Sequence, residues 1–124
     1  MKYLYVIIGG AIGSLLRFVL AEFITGKSNS AFPYATFSVN LIGSLLIGFL
    51  FGLFSVNGQL DDKVRFLLFV GFLGGFTTFS SFALENLKLM QASQISTALI
   101  YIFASNILGI ALAFAGYFIS IKLK

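Results

Sequence analysis

The sequence predicts an all-α integral membrane protein of four transmembrane helices, the third of them broken, and three observations carry that expectation. Hydrophobic residues make up 59% of the chain and charged residues only 10%. A soluble fold of 124 residues cannot hide that much apolar surface, so lipid must solvate much of it. The apolar residues fall into four stretches, each near the roughly 20 residues a helix needs to cross the hydrocarbon. The third stretch carries, around its middle, glycines and hydroxyl residues that suit a continuous helix poorly.

The first helix is expected at about residues 3–23, followed by a polar turn from Thr25 to Ser30. It reads as a retained span, because it runs long, carries Arg17 and lacks a small-residue cleavage site. Pro33 suits the first turn of a second helix, about 33–55, where its missing N–H costs nothing. Asn57–Gly58–Gln59 with Asp61 and Asp62 forms a loop whose acids favour the next helix N-terminus. The third helix covers about 62–90, broken near 74–78, and the turn Gln91 to Ser96 leads to a fourth at about 95–121. Residues 1–124 are thus expected to form one membrane domain, with no soluble domain beside it.

Four spans put both termini on one side. That side carries Lys2, Lys63, Arg65, Lys122 and Lys124, while the other carries Lys27 and Lys88 with Arg17 near it. The bias of five to three favours cytoplasmic termini. The net charge of +4 reads as helix-end lysines and arginines meeting lipid headgroups, so no nucleic-acid partner is expected. Cysteine and histidine are absent, which removes thiol nucleophiles, disulfides, the usual transition-metal sites and the commonest general base.

Small residues recur four apart: Gly9 and Gly13, then Ser44, Gly48 and Gly52, then Ser105, Gly109 and Ala113. Such rows let helix backbones approach closely in lipid. Polar groups also sit deeper than an anchor requires. Asn40 shares a face with Ser44 and Gly48, Tyr101 with Ser105, and Asn106 lies inside the fourth helix. A buried amide in lipid costs several kcal/mol unless it finds partners. For Asn106, interhelical hydrogen bonding is as good a reading as function. Arg17 lies late in the first helix, where snorkelling to the interface is the expectation on general grounds. Glu22, five residues on, stands one position beyond the usual pairing distance. Glu85 follows the core of the third helix, lining a vestibule or facing headgroups.

Residues 71–82 of the third helix read G-F-L-G-G-F-T-T-F-S-S-F. Backbone unwinds at membrane depth only where protein or a water-lined cavity satisfies the freed carbonyls and amides. Membrane proteins hold ions at such breaks, cations on carbonyls and anions on N–H ends. Phe79 and Phe82 lie on one face just after the break, flanking Ser80 and Ser81, and phenyl rings present electropositive edges to an anion.

The motifs G-G-A-I-G-S-L-L-R at 9–17, F-S-V-N-L-I-G-S at 37–44 and G-G-F-T-T-F-S-S-F at 74–82 resemble the Fluc (CrcB-type) family of bacterial fluoride channels over essentially the whole chain. Ser81 stands where threonine is usual, and Ala35 where glycine is often found. The resemblance implies a multi-pass protein of the bacterial plasma membrane, assembled as an antiparallel, dual-topology homodimer. It implies two fluoride pathways per dimer, which passively export fluoride and reduce its toxicity. It implies a structural sodium ion on the backbone carbonyls of Gly74 and Thr77. By motif position the pathway residues would be Asn40, Phe79, Phe82, Ser80, Ser81, Tyr101 and Ser105, with Arg17 and Glu85 near the vestibules.

The rival of similar size is a small proton-coupled multidrug exporter. That chemistry wants a membrane-embedded carboxylate, whereas Glu22 and Glu85 fall towards span ends and tryptophan is absent. No nucleophile–base pair or metal-ligand cluster points to an enzyme.

Overall fold

A computed structural model describes all 124 residues. Helix α1 runs Lys2–Thr25 and α2 Tyr34–Phe54. The third span begins with the short α3, Asp62–Val64, continues as a π-helical stretch, Arg65–Leu73, and then as α4, Gly74–Phe76. Helix α5, Phe79–Gln91, follows, and α6 covers Ile95–Leu123. Four segments are long and apolar enough to cross a membrane: Lys2–Thr25, Tyr34–Phe54, Asp62–Gln91 and Ile95–Leu123. The all-helical, four-span expectation holds.

The turns follow local chemistry. Asn57 (φ 54°) and Gly58 (φ 77°) both adopt left-handed backbone, in the tight turn closed by Val56 N–H donating to the Gln59 carbonyl at 2.8 Å. Asp61 caps the third span, its carboxylate accepting from the Lys63 amide at 3.0 Å. Helix α5 ends in a Schellman motif, the Gln94 amide donating to the Leu89 carbonyl at 2.8 Å. Ser93 (φ 60°) occupies the left-handed position that glycine would ordinarily fill.

The four spans pack chiefly as two pairs of parallel helices. In one, α1 lies on the π-helical stretch and α4: a side chain on Gly9 would strike the Leu67 carbonyl, and one on Gly13 the Phe72 carbonyl. In the other, α2 lies on α6: Gly48 faces the Ala113 carbonyl, Gly52 faces Ser120, and Gly116 faces the Leu45 carbonyl. The small-residue rows are therefore contacts within the chain, made by backbones that touch where side chains would intervene. Gly48→Leu is expected to overpack the α2–α6 seam by about 1–3 kcal/mol and lower the thermal midpoint of the purified protein. An unchanged midpoint would contradict that seam.

Lys124 donates its ammonium to the Ser55 carbonyl at 3.2 Å, tying the C-terminus to the end of α2 and so to the side of the membrane on which the chain begins. Only 17 of 124 residues are buried, so the single chain leaves most of its apolar surface to lipid or to other protein.

Candidate functional site

The site is built around the end of α4. Thr77 (φ −86°, ψ 157°) and Thr78 (φ −148°, ψ 120°) are extended rather than helical. This interrupts the hydrogen-bond ladder inside an apolar span, so the freed groups need partners from elsewhere. Asn40 supplies two of them. Its Nδ2 donates to the Thr78 carbonyl at 3.0 Å, and its Oδ1 accepts from the Thr78 amide at 2.9 Å. This two-point clamp fixes which way the amide points, since the flipped form would set N–H against N–H. Thr78 in turn caps α5, its hydroxyl oxygen accepting from the Ser81 amide at 3.1 Å. The Ser81 and Ser80 hydroxyls stand 3.2 and 3.3 Å from that same oxygen.

An open recess of about 400 Å³ lies over this break. Asn40, Gly74, Thr77, Phe79, Phe82 and Ser105 all line it. Sequence reasoning singled out each of them, and the fold brings them together from α2, the third span and α6. Thr78 and Asn106 line it as well. The 13-residue helix α5 begins here, so its free N–H groups and the positive end of its dipole lie beside the recess. The Phe79 and Phe82 rings are 5.6 Å apart, centroid to centroid. Phe79 is 79% exposed, which means nothing else in the chain covers it.

Phe82 separates the recess from a second polar group. Its ring meets that of Tyr101 edge-on at 4.8 Å. The buried Tyr101 hydroxyl donates to Glu85 Oε1 at 2.9 Å, and Thr36 donates its hydroxyl to Glu85 Oε2 at 2.8 Å. Glu85 is therefore half-buried and engaged on both oxygens rather than facing headgroups. Thr36 was missed by sequence reasoning, although it lies four residues before Asn40 on the face that also carries Ser44. Thr78 was likewise not singled out, although threonine is among the residues preferred at a helix N-cap.

Two readings need correction. Arg17 does not snorkel: its Nε–H donates to the Gly75 carbonyl at 3.0 Å and the side chain is half-buried. Arg17 and Glu22 stay unpaired, in keeping with their spacing of five, and the ion pair in the structure joins Arg65 to Asp62 at 2.8 Å. Asn106 does not bridge helices: its Nδ2 donates to Ile102 of its own helix at 2.7 Å.

Taken together, the four apolar spans and the interrupted third segment over a polar recess define a small multi-pass membrane protein of the channel or transporter kind. The model of the CrcB-like protein, Camphor Resistance (CrcB) family matches residues 4–117, and the chain belongs to that family. It is similar to a fluoride-specific ion channel FluC of Thermus thermophilus, at 48% identity over 94% of this chain and 91% of that protein. The protein of the same name from Azobacteroides pseudotrichonymphae is 46% identical over 96% of this chain and 95% of its own. That of Flavobacterium psychrophilum is 40% identical over 96% of each. With bacterial relatives and four spanning helices, the chain is a multi-pass bacterial membrane protein.

Proposed function

We propose that this chain is a fluoride-selective channel that lets fluoride leave the cytoplasm passively. The observation that carries the reading is the recess at the start of α5, where an amide, hydroxyls, a helix N-terminus and two phenyl rings converge inside an apolar span. Fluoride is small and strongly hydrated, and it accepts hydrogen bonds avidly. A path selective for it must replace water with donors: the second N–H of Asn40, the hydroxyls of Ser80, Ser81 and Ser105, and the ring edges of Phe79 and Phe82. Tyr101 and Glu85 continue the polar track behind Phe82. Each contact must be strong enough to dehydrate the ion yet weak enough to release it.

The recess is open, so a second subunit is needed to close the path, and we propose an antiparallel homodimer with two pathways. Gly74 supports this. A side chain there would meet nothing closer than the Phe69 carbonyl at 3.8 Å, so packing within the chain does not ask for glycine. Close approach by another subunit does.

Sodium fits the same place. Gly74 has no helical donor for its carbonyl, because the Thr78 amide is committed to Asn40. Thr77 is extended, and no cluster of acidic, histidine or cysteine side chains competes for a metal. Carbonyl oxygens are hard donors, suited to an alkali or alkaline-earth cation. Two from one chain are too few for such an ion, and two chains double them. When bound, sodium supplies fixed positive charge beside the anion path. Purification with a large organic cation in place of sodium is expected to weaken the assembled state, seen as dissociation on size-exclusion chromatography. Identical elution in both would count against the ion.

The functional reading is tested in bacteria lacking their own fluoride exporter. Expression of this chain is expected to restore growth in fluoride and to lower the fluoride retained by the cells. Unchanged sensitivity, with the protein present in the membrane, would overturn it.

A further inference from the structure

We propose that Arg17 is a positioning residue for the break in the third span, taking up the Gly75 carbonyl so that it does not compete with those of Gly74 and Thr77 for an ion. The inference rests on the reading that these carbonyls hold sodium. Interrupting the helix frees several consecutive carbonyls, and any of them left unpaired would compete to turn towards an ion or water. Asn40 engages both backbone groups of Thr78. Arg17 engages Gly75 from α1, through Nε at 3.0 Å.

One face of α1 brings Arg17 there. Gly10, Ser14 and Arg17 follow one another along the helix at helical spacing. A side chain on Gly75 would sit 2.6 Å from the Gly10 carbonyl and 3.0 Å from Ser14 Oγ. Gly75 is thus pressed against α1, and the arginine arrives one turn further on. No carboxylate balances it, since the ion pair in the structure is that of Arg65. A guanidinium at this depth has the carbonyl as its partner. Gly74 is exposed, whereas the Arg17 side chain is half-buried and held on the neighbouring Gly75.

Arg17→Gln and Arg17→Met separate the hydrogen bond from the charge. Glutamine places an N–H donor after Cβ, Cγ and Cδ, the same point along the side chain as arginine Nε, without the charge. Methionine has similar length and no donor. Each full-length protein would be purified without sodium, reconstituted into liposomes, and titrated with sodium. Two quantities are read: the sodium concentration giving half-maximal fluoride efflux, and the rise in thermal midpoint that sodium produces.

Methionine is expected to raise the half-saturating sodium by about tenfold or more and to shrink the midpoint rise, while glutamine stays within about threefold of the unmodified protein. Equal displacement of both variants, displacement of neither, or a lower midpoint with unchanged sodium response would overturn the assignment. If the unmodified protein ignores sodium in both measurements, the sodium reading has failed instead. Arg17 is then judged on efflux alone, where methionine falling well below glutamine supports the positioning role and equality overturns it.

Discussion

Replacing Phe82 by isoleucine is expected to cut fluoride efflux by about tenfold or more while the assembled protein stays intact. Isoleucine keeps an apolar side chain of useful bulk but has no quadrupole, so it offers fluoride no electropositive edge. In this structure Phe82 stands between Phe79, at 5.6 Å, and Tyr101, at 4.8 Å. It therefore links the recess over the break to the Thr36–Glu85–Tyr101 group. Phe79→Ile provides the cleaner companion. Phe79 is so exposed that its replacement removes little packing from the chain, and a loss of flux there must come from the path or the subunit contact. Efflux from liposomes, with size-exclusion chromatography of the same samples, reads both quantities. Full flux in both variants would remove the rings from the pathway.

Replacing Asn40 by leucine is expected to cost more than a donor to the ion. Its amide holds both backbone groups of Thr78, and leucine, of similar size, would leave both without partners inside an apolar span. Each unsatisfied group costs about 1–3 kcal/mol. The break should re-form as helix or distort, and flux should fall by on the order of a hundredfold. The thermal midpoint should fall with it, in contrast to Phe79→Ile. Asn40→Asp is informative beside it: one carboxylate oxygen can still accept from the Thr78 amide, but the other faces the Thr78 carbonyl and repels it. Normal flux and midpoint in Asn40→Leu would show that the break stands without its clamp.

How much of this was written in the sequence differs from element to element. The four spans were legible because hydropathy is additive along the chain. The turn at Asn57–Gly58 was legible because left-handed backbone selects those residues. The recess residues were legible because an asparagine inside an apolar span is costly unless it finds partners, and because adjacent glycines followed by hydroxyl residues make poor material for a continuous helix.

Other features depend on packing that no local pattern records. The π-helical turns from Arg65 to Leu73 arise from a run, R-F-L-L-F-V-G-F-L, that reads as an ordinary apolar helix. They occur where the Gly9 and Gly13 backbones press on the Leu67 and Phe72 carbonyls. The left-handed Ser93 carries no glycine signal. The inward turn of Arg17 went unread because spacing alone does not say which face of a helix meets protein. Only the Gly10–Ser14–Arg17 row, set against Gly75, reveals it.

The central claim is that fluoride crosses the membrane by a path built around this break, on donors that suit fluoride. Liposomes holding only the purified protein and loaded with equal fluoride and chloride test it most directly, with a potassium ionophore present so that charge can be balanced and both anions followed by electrode. The account predicts that the vesicles lose their fluoride while chloride stays inside. Fluoride retained, or both anions released together, would contradict it.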